Sequence, residues 1–180
     1  MSGASRQLLY GQLCFFGFLI LCGLVDGAGF SGNHGFSYYG GHAETIVPYG
    51  LAFGSLCFFV ARAALLVGPG PLAPALRGLV VLLVLDVATP DTINAAFYWG
   101  HVAASTLLFL YALALAAWLA RDTLTGALLA VQFVAGLIAM FSQMQLISAL
   151  SIGILAFQLT FGTLLVIATN EVREAAVATT

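Results

Sequence analysis

Charge is what this chain has least of: 7% of its 180 residues are Asp, Glu, Arg or Lys, against roughly 25% in soluble domains. A water-facing exterior needs that charge, so a soluble domain is excluded and the bilayer becomes the main solvent. Lysine is missing altogether, and the basic residues are Arg6, Arg62, Arg77, Arg121 and Arg173. A net charge of −2 offers no basic surface to a phosphate backbone, which excludes a nucleic-acid partner. The cysteines Cys14, Cys22 and Cys57 lie in apolar runs with no CxxC pair. They are poorly placed for thiolate chemistry, read as packing residues, and reveal no redox compartment. Period-two alternation is absent as well, which excludes a transmembrane β-barrel.

What is present is continuous apolar sequence: 62% hydrophobic residues and a mean hydropathy of +1.07. The expected fold is all-α, a polytopic membrane protein forming one domain over residues 1–180 as a six-helix transmembrane bundle. The spans are predicted at about 8–25, 46–66, 72–88, 90–120, 124–141 and 146–169. Leu8 to Val25 follows a short head bearing Arg6, as a secretory signal would. Its 18 residues and the five hydrophobic segments after it favour a transmembrane helix instead. Pro48 suits a first helical turn, where a missing N–H is tolerated, and Gly50 and Gly54 make a small-xxx-small face. The prolines and glycines of Val67 to Gly78 break the pattern between the second and third spans. Thr89-Pro90 reads as the N-cap and first residue of the fourth span. Ser142 to Gln145 reads as a turn, and Asn170 to Thr180 as a polar tail.

With six spans the five arginines fall on one side of the membrane. The positive-inside rule then makes the N- and C-termini cytoplasmic and places the loop 26–45 outside, in a multi-pass protein of the plasma membrane.

That loop, Asp26 to Pro48 with its flank, is the longest polar break, and it holds Asp26, His34, Tyr38, His42 and Glu44. Phe30, Phe36, Tyr38 and Tyr39 interleave with glycines, as a compact lid would require. On the fourth span Asp91, Asn94, Tyr98, His101 and Ser105 recur at spacings of three and four, one helical face. A polar face costs too much against lipid, so it should turn inward. Tyr98 and Trp99 are equally what an interfacial aromatic belt supplies. Asp86, near the outer end of the third span, is expected opposite His101 but offset by roughly 10 Å in depth, so that a water, an ion or Tyr98 would bridge them.

His42, Glu44, Asp86 and His101 offer nitrogen and oxygen ligands to a metal ion, but without an HExxH pair. Bis-histidine haem is disfavoured, because His101 alone of the histidines clearly lies in a helix. No GxSxG elbow presents a serine nucleophile. Asn33, Phe36, Ser37 and Gly40 form an Asn-x-x-hydrophobic-Ser-x-x-Gly element after the first helix, which resembles that of uncharacterised six-span bacterial membrane proteins. The resemblance implies the topology and no activity.

The expected function is therefore an outward-facing polar pocket, capped by the first loop, that binds and conceivably transports a small molecule, ion or lipid head group. A membrane-embedded metal-dependent hydrolase is the catalytic alternative, and an accessory subunit, with self-association into a homo-oligomer left open, is the structural one.

Overall fold

The computed structural model describes residues 1–30, 35–89, 94–144 and 148–178, with 172–178 described as backbone alone. Among these residues the secondary structure is helical, with no strand: α1 (Gly3–Val25), a 3-10 turn (Gly27–Gly29), α2 (Ser37–Gly40), α3 (Ile46–Leu66), α4 (Leu72–Ala88), α5 (Ala95–Leu119), α6 (Thr123–Gln143) and α7 (Leu150–Ala178). Five of them, α1, α3, α5, α6 and α7, are long and apolar enough to cross a membrane. The remaining expected span, the third at 72–88, is α4, which has 17 residues and is shorter than those five.

Each long helix starts and stops for a local reason. Ser2 caps α1, its hydroxyl accepting from Ser5 N at 3.0 Å, so the helix begins five residues before the apolar run. Asp122 caps α6 in a reciprocal box: its carboxylate accepts from Thr125 N at 2.8 Å, while Thr125 Oγ1 accepts from Asp122 N at 3.2 Å. Gly68 and Gly70, at φ of 84° and 154°, turn the chain between α3 and α4, where a side chain would be strained.

Two expectations about boundaries are corrected. Thr89 does not open a helix; its hydroxyl donates back to Leu85 O at 2.9 Å and Asp86 O at 3.2 Å, so it ends α4. The cap of α5 is Asn94, whose Oδ1 accepts from Ala96 N and Phe97 N at 3.0 and 3.1 Å. Pro90, the predicted first residue of that span, lies outside the described residues, as do Asn33 of the motif and Gln145 and Leu146 at the last turn. The second correction concerns the polar tail, since α7 continues to Ala178 through good helix formers such as Glu171, Arg173 and Glu174.

The long helices close into a cycle: α1 packs on α3, α3 on α4, α4 on α5, α5 on α6 and α7, α6 on α7, and α7 back on α1. On α1 the buried face is Leu8, Gln12, Phe15, Leu19 and Cys22, spaced by three and four. The opposite face carries Leu13, Ile20 and Leu24, the last 80% exposed. Inside and outside are equally apolar, as lipid solvation demands. Tight seams rest on glycine. A Cβ on Gly153 of α7 would come within 2.7 Å of Ala139 N and 2.9 Å of Ala135 O on α6.

Contacts between helix ends fix which ends lie together. Ser2 N donates to Asn170 Oδ1 at 2.8 Å, joining the start of α1 to the α7 helix beyond its apolar stretch. Gly3 lies beside Leu66, joining the start of α1 to the end of α3. Ser151 Oγ donates to Gly29 O at 2.9 Å, joining the start of α7 to the turn after α1.

Candidate functional site

The described residues after α1, 26–30 and 35–45, form a folded cap. Asp26 ends α1, and its carboxylate accepts from Ala28 N and from Tyr38 Oη, both at 2.9 Å. The Ala28 amide, then the Tyr38 hydroxyl, hold the Asp26 carboxyl below the usual aspartate range. The same bond, as the leading cause, pushes the Tyr38 hydroxyl up. His42 stacks on the Tyr38 ring at a centroid distance of 3.9 Å and donates Nδ1–H to Tyr38 O at 2.7 Å, because a carbonyl can only accept.

Behind this polar edge Tyr39 is fully buried, in ring contact with Phe30 and Tyr38. Its hydroxyl has no hydrogen-bond partner, and burial pushes it up to about 12. The ring fits because Gly29 has no side chain: a Cβ there would sit 2.4 Å from Tyr39 Cζ. Thr45 Oγ1 donates to Tyr39 O at 2.9 Å and ties the cap to the start of α3. Glu44 is exposed. The contacts of the cap run to α1, α3 and α7.

The second cluster lies in the α4–α5 seam. Asp86 is the one buried charged residue among the described residues. Ser105 Oγ donates a hydrogen bond to Asp86 Oδ1. His101 Nδ1 donates to Asp86 O at 3.2 Å and lies 3.7 Å from Asp86 Oδ1. Ser105 Oγ is 3.4 Å from His101 Nε2. His101 and Ser105 are one turn apart on α5, so one helix aims both at α4. The expected offset with Asp86 is absent because α5 begins at Ala95, which brings His101 nearer the level of Asp86. Contact is direct, and Ser105 supplies the bridge once assigned to water, an ion or Tyr98.

A protonated His101 could give its Nε2–H to Ser105 Oγ while Ser105 gives its own proton to Asp86. That is a short relay joining imidazole to carboxylate. The residue types are also those of a serine hydrolase, but the order differs, since Ser105 is hydrogen-bonded to the carboxylate and the imidazole does not stand between them.

The sequence-predicted residues thus divide. Asp26, Tyr38 and His42 join in the cap, and Asp86, His101 and Ser105 in the seam. Asn94 is used as a helix cap, and Tyr98 is 41% exposed beside the edge of Trp99. His34 and Asp91 lie outside the described residues. Among the described residues no three of His, Cys, Asp and Glu gather into a metal-holding group, so His42, Glu44, Asp86 and His101 do not form the four-residue set considered above.

The sequence marks Gln132 and Gln158 as polar lining of the fifth and sixth spans, where most such residues bond between helices, but it does not mark Gln12 as the partner of Gln158. Gln158 Nε2 donates to Gln12 Oε1 at 3.2 Å across the α1–α7 contact. Gln132 of α6 is fully buried with neither amide atom partnered. A glutamine in an apolar run is visible in sequence, but a partner 146 residues away on the last long helix is not. No protein-family model, no curated protein and no solved structure matches this chain.

Proposed function

We propose that this protein is a six-span plasma-membrane protein, with α4 as its third span and both termini cytoplasmic, that binds a small cation or ammonium-bearing solute at Asp86, His101 and Ser105. The observation that carries the reading is Asp86 itself, a carboxylate buried in an apolar helix with side chains on α5 directed at it. Charged groups buried between apolar helices are costly and are kept where they act. The cluster is built mostly of acceptor atoms: carboxylate oxygens, the serine oxygen and Nε2 of a neutral imidazole. Acceptors suit a guest that donates or carries positive charge. Side-chain exposures of 11% for Asp86 and 15% for His101 leave the cluster accessible to a small guest.

The ligand test is a thermal-unfolding series in detergent with Na⁺, K⁺, NH₄⁺ and small organic ammonium ions. At least one should raise the wild-type midpoint in a concentration-dependent way and leave Asp86→Asn unmoved. Equal responses of the two proteins to every cation would defeat the reading. Orientation has its own check, with Cys14, Cys22 and Cys57 replaced by alanine. A cysteine at Gly41 should react with an impermeant thiol reagent on intact cells, and one at Pro71 should not. Labelling at Pro71 would invert the topology.

A further inference from the structure

Inward of Asp86 the same seam opens into a cavity of about 30 Å³ at the centre of the bundle, walled by α1, α3, α4, α5 and α7. Its upper rim is Leu83 and Leu108, three residues inward of Asp86 and Ser105, or about 5 Å at 1.5 Å per residue. Leu79 and Ala112 follow one turn further in, and the polar wall is Gln12 and Gln158. Below, the seam is shut: Tyr111 Oη donates to Ala75 O at 2.7 Å, packed so close to Gly78 that a Cβ there would lie 2.6 Å from the hydroxyl.

We propose that this cavity is a second binding site, for one or two water molecules or a neutral guest of that size, held by the Gln12 and Gln158 amides. The assignment rests on the reading of Asp86 as the outer site and gives that site an inner neighbour of different selectivity. Two primary amides carry four N–H donors and two carbonyl oxygens, and the Gln158-to-Gln12 bond uses one donor and one lone pair. What remains can both donate and accept. A volume of about 30 Å³ is enough for a water molecule, which needs roughly 10–15 Å³ and two to four polar partners. The amides have no charge with which to offset the desolvation of an ion, so a cation stops at Asp86 and only a neutral, water-sized guest passes Leu83 and Leu108.

The position of Gln12 is built for this. A Cβ on Gly162, one turn beyond Gln158 on α7, would fall 2.3 to 2.7 Å from the three outer atoms of the Gln12 amide. Only a glycine lets the amide lie there. The closed Tyr111 end makes the path a pocket with two stations, not an open channel.

The test uses protein labelled with ¹⁵N at glutamine side chains, in lipid nanodiscs, and reads magnetisation transfer from water to the Gln12 and Gln158 NH₂ groups by NMR. Transfer is expected at both. It should disappear in Ala112→Leu, or fall in the gentler Ala112→Val if the larger side chain prevents folding. It should persist in Asp86→Asn, which separates this proposal from the cation reading. No transfer in the wild type would show a dry interhelical bond and overturn the proposal, as would transfer undiminished in the folded Ala112 variants. Ammonium titration should move His101 resonances and not those of Gln12 and Gln158; equal movement of both sets would overturn the charge selectivity.

Discussion

The cap and the α4–α5 seam are built from the same chemistry, a carboxylate, a histidine and a hydroxyl, and they use it differently. In the cap, Asp26 accepts from a backbone amide and Tyr38, His42 gives its Nδ1–H to a carbonyl, and Tyr39 fills the space beneath. In the seam, Asp86 is met by side chains of a neighbouring helix, and the imidazole keeps Nε2 toward a serine that has already donated elsewhere. A carboxylate at a helix end in water costs little and serves as a clasp. A carboxylate within an apolar helix is expensive, and the surrounding structure is arranged for it.

The largest effect should come from breaking the cap at its aromatic centre. Tyr39→Ala removes a fully buried ring packed against Phe30, Tyr38 and Gly29 and should cost about 3–5 kcal/mol, the range for large aromatic truncations. Tyr39→Phe removes only a hydroxyl without a partner and should be neutral or stabilising, since a buried unsatisfied group is a cost. Thermal unfolding of both variants in one detergent decides the matter. A destabilising Tyr39→Phe would mean that the hydroxyl has a partner in the membrane. Ammonium-induced stabilisation should survive in Tyr39→Phe, because the cap contacts α1, α3 and α7 and not the cation site.

How far the sequence reveals this division depends on the kind of signal. The bounds of α3 and α4 coincide with the predicted 46–66 and 72–88 because Pro and Gly punctuate them locally. The start of α5 was misplaced because Thr89 can cap either way, and the direction of its hydroxyl is decided by whether the preceding helix offers free carbonyls. Spacing correctly put His101 and Ser105 on one face. It could not tell that Asn94 would be used on backbone amides and Tyr98 left exposed, since the starting phase of the helix was unknown. The glutamine pair and the Gly162 cradle depend on α1 meeting α7, a contact that only the closed bundle creates.

A smaller effect is expected in the seam. Asp86→Leu leaves the Ser105 hydroxyl without its carboxylate acceptor in an apolar setting, while His101 keeps its bond to the backbone carbonyl of residue 86, and should cost about 1–3 kcal/mol. Asp86→Asn keeps an acceptor oxygen for Ser105 and should fold almost as the wild type does. Both should lose the cation response. The matching pair at Asp26, Asn and Leu, should leave that response intact. If Asp26 and Asp86 variants behave alike, the contrast between clasp and site collapses, and both clusters are structural.

The smallest effect is the pH dependence of the clasp, and its sign follows from the two directions of shift. Asp26 has its carboxyl held below the ordinary value, chiefly by the Ala28 amide and then by Tyr38. Its contribution is present above the unfolded value of about 3.9 and fades as pH falls through the lower folded value. Tyr38 is shifted the other way, raised chiefly by the bond to Asp26. Its contribution is present below the unfolded value of about 10 and fades as pH rises through the higher folded value. The clasp is therefore closed across the range between and opens at both extremes, so physiological pH never unlatches it. Labelling of a cysteine at Gly41 should stay slow and flat across that middle range once corrected for thiol ionisation with a cysteine in an unfolded peptide. It should quicken at the alkaline edge in the wild type and at a lower pH in Asp26→Asn, while Tyr38→Phe, which lacks the bond at every pH, should label faster throughout and show no alkaline step. A wild-type labelling rate that steps within that middle range would mean that the Asp26–Tyr38 bond does not govern the cap, and that the cap is a switch and not a clasp.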